Sequence, residues 1–352
     1  MKNEINDTIE SLITKYFDGK IAAQDQNSIK FEITGVKEEH ISKAFIKLYK
    51  ESFSFGYVVT LKKENNIFYL YAIKKISKTN VPMVIILAII TLISVYVSGL
   101  VFNNYNKSFA WSPLAYLVAL IVPLLLHETG HWITMRRYKV PASPPYLLPA
   151  PPLQLGFLGT FGAVINMEWL PPTNDILALT GIMGPLVGFI AVIPFAILGL
   201  KYSVLIPQYA APSGSTISLV PLIVSILTYV EKIPEEYVIQ PSAMMFASYI
   251  VFFVTFLNLI PVSQLDGGHV LRAALGEKGH KIVSEIFILG LIIAGFWYDT
   301  FTVFGVFALF LFLLSRGRHP GAAMGDDKLS KIGFLSVILY SILLILTLPL
   351  PV

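Results

Sequence analysis

His127, Glu128 and His131 interrupt an otherwise apolar run, LLLHETGHWITM. Burying such groups in hydrocarbon is costly, so their presence there calls for a role. On a helix, residues four apart lie about 40° apart around the axis and about 6 Å along it. Two imidazoles so placed share one face and can chelate a single divalent cation, in the pattern H-E-x-x-H. Glu128 stands beside them, placed to take a proton from water, whose pKa a bound Zn²⁺ lowers to about 7. The chain has no cysteine, so it has neither a disulfide framework nor a thiolate metal site, and any metal must be held by His, Asp or Glu.

The elements that must position these residues are mostly apolar. Of 352 residues, 55% are hydrophobic and only 14% charged, and several apolar runs approach the roughly 20 residues needed to cross a bilayer. The composition predicts a polytopic α-helical membrane protein with about seven transmembrane helices, near residues 81–102, 110–135, 176–200, 243–260, 282–298, 301–314 and 332–350. Residues 215–230 are apolar but broken by proline, as in an interfacial or re-entrant segment. The net charge of +4 is modest and implies no nucleic-acid partner; the lipid bilayer is the expected one. Arg136, Arg137, Lys139, Arg272, Lys278, Lys281, Arg316, Arg318, Lys328 and Lys331 fall on one face with the lysine-rich N-terminal region, against Lys107, Lys201 and Lys232 on the other. By the positive-inside rule the N-terminus is cytoplasmic and the C-terminus outside. No signal peptide is legible at the start. Residues 1–79 instead predict a small cytoplasmic α+β domain, with strands in IKFEITGV, FGYVVTLKK and NIFYLYAIKK, and helices in NDTIESLITKYF, capped by Asn6 or Asp7, and KEEHISKAFIKLYKES. It holds no visible catalytic group, and a chain starting near Thr79 is expected to retain the chemistry of the transmembrane domain, residues 80–352.

A catalytic zinc site usually takes a third protein ligand. Asp266, in FLNLIPVSQLDGGHVLRA, precedes Arg272 by six residues as His131 precedes Arg136 by five. Both apolar stretches run in the same direction across the membrane, so Asp266 and the histidines lie at matched depth, roughly 8–10 Å inside the basic border by helical rise. His269 is a rival ligand; a bond to Asp266 or a place among headgroups suits it better. His40, His280 and His319 lie among charges and are expected to be solvated. Residues 141–172 are too apolar for a water-exposed loop and too rich in proline for a helix. One or two short strands are expected within residues 153–167, as a β or re-entrant element beside the metal, because irregular backbone at membrane depth needs protein or a water-filled cavity around it. Its strand edge could pair with an extended substrate, or the segment could simply plug the bundle. Gly181, Gly184, Pro185 and Gly188 in the third span suit close helix packing.

The two motifs, His127-Glu128-Thr129-Gly130-His131 and Asn258-Leu-Ile-Pro261-Val-Ser-Gln-Leu265-Asp266-Gly267, resemble those of the site-2 proteases, membrane-embedded zinc metalloproteases with H-E-x-x-H in one span and N-x-x-P-x-x-x-L-D-G in a later one. Every defined position matches, and residues 159–189 are similar to the stretch between the motifs. The resemblance covers about residues 110–275. It implies one zinc held by His127, His131 and Asp266, Glu128 as catalytic acid and base, and Asn258 at the reacting peptide, against the plainer role of a helix–helix hydrogen bond. It further implies an intramembrane zinc metalloendopeptidase cutting peptide bonds in or near transmembrane segments of other proteins, and the N-terminal domain suggests the archaeal and plastid branch. A metal transporter would spread ligands along a path, which the other spans lack; a non-catalytic chaperone or regulator would have no use for Glu128.

Overall fold

The computed structural model describes residues 2–25, 27–75, 80–103, 108–210, 219–325 and 327–351. Its N-terminal part runs α1 (Lys2–Tyr16), β1 (Phe17–Gln24), β2 (Ser28–Val36), α2 (Ile41–Ser54), β3 (Tyr57–Glu64) and β4 (Ile67–Lys74). The four strands form one antiparallel sheet in the order β1-β2-β4-β3. Asn65 and Asn66 close the β3–β4 hairpin at φ 49° and 66°, the left-handed pair that a two-residue turn needs and asparagine tolerates. Helix α2 buries Ala44, Phe45, Leu48, Tyr49 and Ser52, one face of a 3.6-residue period. The three expected strands and two helices are therefore present. Strand β1 is additional, because FDGKIAAQ carries little β-branched character of its own and is held by pairing with β2. Helix α1 starts at Lys2, so Asn6 and Asp7 lie within it and do not cap it.

The remainder is helical: α3 (Val81–Gly99), α4 (Pro113–Arg137), α5 (Asn174–Lys201), α6 (Leu222–Val230), α7 (Ala243–Leu259), α8 (Asp266–Ala294), α9 (Asp299–Leu314) and α10 (Lys331–Thr347). The side chains of Asn80, Ser112, Thr173 and Ser242 accept the orphan N–H groups at the starts of α3, α4, α5 and α7. Three stretches, Val81–Phe102, Pro113–Arg137 and Asn174–Lys201, are long and apolar enough to cross a membrane. Helices α7, α9 and α10 are apolar but have only 16 or 17 residues. The expected fifth span falls in the second part of α8, beyond a break at Gly276 (φ 70°) and the charged Glu277, Lys278 and Lys281. Three spans are thus secure by length and composition, where seven are expected. Helix α3 turns Ile85, Ile86, Ile89, Ile90 and Ile93 outward and buries Thr91, Val95, Ser98 and Gly99. That inversion of the soluble pattern fits a helix solvated by lipid.

Short strands decorate the bundle. β5 (Tyr146–Pro149) pairs antiparallel with β6 (Thr160–Val164), β7 (Val204–Pro207) with β9 (Tyr237–Gln240), and β8 (Leu219–Pro221) with β10 (Pro349–Pro351). The segment expected to hold strands in residues 153–167 supplies β6, and its partner β5 lies just upstream. Of the apolar stretch 215–230, residues 219–230 form β8 and α6, whose nine residues are too short to span; residues 215–218, like Lys107 and Thr79, lie outside the described residues.

The N-terminal sheet is joined to the bundle. The Leu61 N–H of edge strand β3 donates to the Ala323 carbonyl, and the N–H groups of Ala323 and Met324 donate to the carbonyls of Pro171 and Pro172. Trp169 Nε1 donates to the Val59 carbonyl at 3.2 Å, the Tyr49 hydroxyl to the Leu170 carbonyl at 2.8 Å, and Lys75 Nζ to the Glu168 carbonyl. Trp169, Leu170, Ala323 and Met324 pack into the same apolar cluster as Phe45, Leu48 and Val59. A carboxylate at Met324 would be buried there without a partner, at a cost of several kcal/mol. Met324→Asp should therefore release the N-terminal sheet: hydrogen exchange at the Leu61 amide, slow in the wild type, should become fast. Unchanged protection would refute the docking.

Candidate metal centre

Helix α4 carries the first motif. Pro123, one turn before His127, removes a backbone donor inside the helix. His127, Glu128 and His131 follow on the buried side, at 5%, 7% and 6% exposure. Asp266 is the first residue of α8, reached from the end of α7 through a tight turn at Ile260–Leu265 in which Ser263 takes φ 55°. Gly267 lets α8 start against the backbone of Leu259 and Ile260, where a Cβ would collide.

The two motifs meet, although 139 residues separate them. His127 Nε2 lies 3.1 Å from Asp266 Oδ2, His131 Nε2 lies 3.3 Å from Asp266 Oδ1, and the two Nε2 atoms are 3.1 Å apart. Four tetrahedral donors at zinc bond lengths stand about 3.3 Å from one another. The Asp266 carboxylate turns one oxygen toward each ring, so the three residues could hold a single ion, and the donor set N, N, O suits Zn²⁺. His131 Nδ1 is 2.7 Å from the Thr180 carbonyl. Only a donor can sit there, so the proton is on Nδ1 and the Nε2 lone pair faces the other ligands, the usual outer support of a metal-binding imidazole. Glu128 Oε1 stays 3.9 Å from His127 Nε2, beside the triad and not in it.

Helix α5 determines how closely these groups approach. Gly181, Gly184 and Gly188 lie along one face of α5 and meet the triad directly. A Cβ at Gly184 would enter the His131 ring, one at Gly188 would come within 2.9 Å of His127 Cβ, and one at Gly181 within 2.6 Å of the Asp266 carbonyl. The glycines do serve packing, as expected, but against His127, His131 and Asp266 themselves.

A cavity of about 600 Å³ opens on the triad. Glu128, Asn258 and Gln264 line it, as does the wall from Ala163 to Pro171 that includes the end of β6. Asn258 sits half-buried in the last turn of α7 and lines the cavity; no hydrogen bond of its amide is found among the described residues. The histidine expectations are in part corrected. His40 is exposed, but His280 and His319 are buried at 1% and 4%, because the loop holding His319 folds back under the N-terminal sheet and packs on α8. His269 does not join the triad; its Nδ1 is bonded to His319 Nε2 at 2.8 Å. His269 follows the second motif by two residues, but the places of His319 and Thr180 had no signal in the sequence.

Comparison with known proteins agrees with this geometry. The profile of peptidase family M50 matches residues 115–298, just over half of the chain. A zinc metalloprotease of Methanocaldococcus jannaschii is 26% identical over 208 residues, which is 59% of this chain and 47% of the relative. The chain thus spans about half the length of the curated relative it matches.

The close approach of α5 can be tested through the metal. Gly184→Ala should lower zinc affinity about 10- to 100-fold, the range seen when the support of a ligand is disturbed. Gly290→Ala, at a position with nothing within 4 Å, should leave it unchanged. Equal zinc retention by both variants during dialysis against a competing chelator would contradict this account.

Proposed function

The chain belongs to peptidase family M50, the site-2 protease family, and on that premise we propose that it is an intramembrane zinc metalloendopeptidase that hydrolyses peptide bonds in or near transmembrane segments of other membrane proteins. The observation that carries this reading is the triangle of His127, His131 and Asp266 with Glu128 beside it in a cavity walled by a strand. One zinc per chain, held by these three residues, supplies a Lewis acid that polarises the peptide carbonyl and acidifies water.

The residues of the chain do the rest. Glu128 accepts the proton of the attacking water and returns it to the nitrogen of the departing amine, so one carboxylate serves as base and then acid. Asn258 offers an amide to the backbone of the bound peptide. Among the described residues strand β6 is paired with β5 on one side only, and Ala163 and Val164 at its end line the cavity. An unwound segment of substrate can add to that edge, which presents an extended peptide bond to Glu128 in place of a helical one shielded by its own hydrogen bonds. The basic residues Arg136, Arg137, Arg272, Lys278 and Lys281 flank this end of the bundle, and they support a cytoplasmic N-terminus, an outside C-terminus and access of water from the cytoplasmic side.

Glutamine is close to glutamate in size but cannot take the proton. Glu128→Gln should keep near wild-type zinc while cleavage of a co-reconstituted single-span membrane protein falls by about 10²–10⁴-fold. Asp266→Asn should lose zinc and activity together. Elemental analysis should give about one zinc in the wild type, and a His127→Ala, His131→Ala double variant should lose it. Near-normal cleavage by Glu128→Gln would end the peptidase reading, and loss of zinc in that variant would make Glu128 a ligand.

A further inference from the structure

A second imidazole pair stands in the wall of the same cavity. His269 belongs to the first turn of α8, and His319 to the loop between α9 and α10. Their rings are perpendicular with centroids 4.8 Å apart, and His319 Nε2 is 2.8 Å from His269 Nδ1. The tautomers follow from a backbone group. The Gly321 N–H donates to His319 Nδ1 at 3.0 Å, so that nitrogen carries a lone pair and the proton of the neutral ring is on Nε2. His319 Nε2–H then donates to His269 Nδ1. That leaves His269 with its own proton on Nε2, the one ring donor it has left, at the edge of the cavity.

The surroundings hold this chain of bonds neutral. His319 is buried, and burial, then His269, His280 and Arg272, push it well below the ordinary imidazole range. His280 packs on it at 5.4 Å between centroids, and Arg272 Nε reaches its carbonyl at 3.4 Å. His269 follows Asp266 by three residues, a spacing that places both on one side of the helix, and both sit against Gly181 of α5. The carbonyl oxygen of the peptide gains negative charge during hydrolysis, and a fixed neutral donor beside the Lewis acid stabilises that charge further. A fixed neutral donor there is worth about 10²–10³ in rate.

We propose that His269 donates a hydrogen bond from Nε2–H to the carbonyl oxygen of the peptide bond being cleaved, and that His319 is the positioning residue that holds His269 in the tautomer able to do so. The inference rests on the peptidase reading. It assigns His269 to substrate and not to metal.

The full-length, zinc-loaded protein in liposomes, with a single-span membrane protein as the probe, separates the two. Wild type and Glu128→Gln establish the peptidase reading first; an inert wild type overturns that reading and this inference with it. His269→Leu should then keep its zinc and lower kcat by about 10²–10³-fold with KM little changed. His319→Leu should lower kcat by about tenfold, and His319→Gln, whose amide N–H can still donate to His269 Nδ1, should recover most of that loss. The double leucine variant should be no slower than His269→Leu alone, because the two residues act through one donor. Wild-type kcat in His269→Leu, a change confined to KM, or loss of zinc would each overturn the assignment. Should the leucine variants fail to fold, ¹⁵N-histidine NMR of the wild type decides: both rings should be neutral with the proton on Nε2, and a proton on Nδ1 of His319 would overturn it.

Discussion

The structure depends on bringing two imidazoles and a carboxylate together inside an apolar bundle. Each of these groups is costly to bury alone, and acceptor atoms facing one another at 3.1–3.3 Å can share a cation only if the helices that carry them come very close. Helix α5 makes the approach possible. Its glycine face admits the rings of His127 and His131 on one side and the start of α8 on the other, and its Thr180 carbonyl orients the His131 ring. Small residues here do more than allow helices to touch; they set how far the two imidazoles and the carboxylate stand from one another.

The cavity shows the same economy of elements. Its floor is the triad, and its wall is an irregular stretch whose backbone has to be satisfied without a helix. Part of that wall is bonded to β5. The rest, residues 168–172, is held by the N-terminal sheet and by the loop at residues 323–324, which lies between them as an added strand. The N-terminal unit therefore stands against the wall of the cavity, not apart from it. The same loop brings His319 to His269, so a single folded-back segment both anchors the sheet and completes the imidazole pair.

Much of this was legible in the chain. The spacing of His127 and His131 placed both rings on one helical face, and the matched distances of His131 and Asp266 from basic residues placed the two motifs at one depth before any contact was known. Such inferences hold because helical rise and the membrane border are regular, so sequence distance converts to spatial distance. The amphipathic pattern of α2 and the β-branched runs of β2, β3 and β4 were equally readable. The charge around His280 and His319 misled: neighbouring lysines and arginines predict solvation only where the loop stays in water, and this one turns back under the sheet.

What the sequence determined by itself was the donor set, because the residue types, their period along α4 and the absence of cysteine leave few metals that it could hold. What tertiary structure alone decided was contact between distant segments. Strand β1 exists through its partner β2, His319 meets His269 through a loop 50 residues away, and residues 323–324 bridge the sheet to the cavity wall. None of these has a local signature, since a hydrogen bond between remote backbones depends on where the chain returns and not on which residues it is made of.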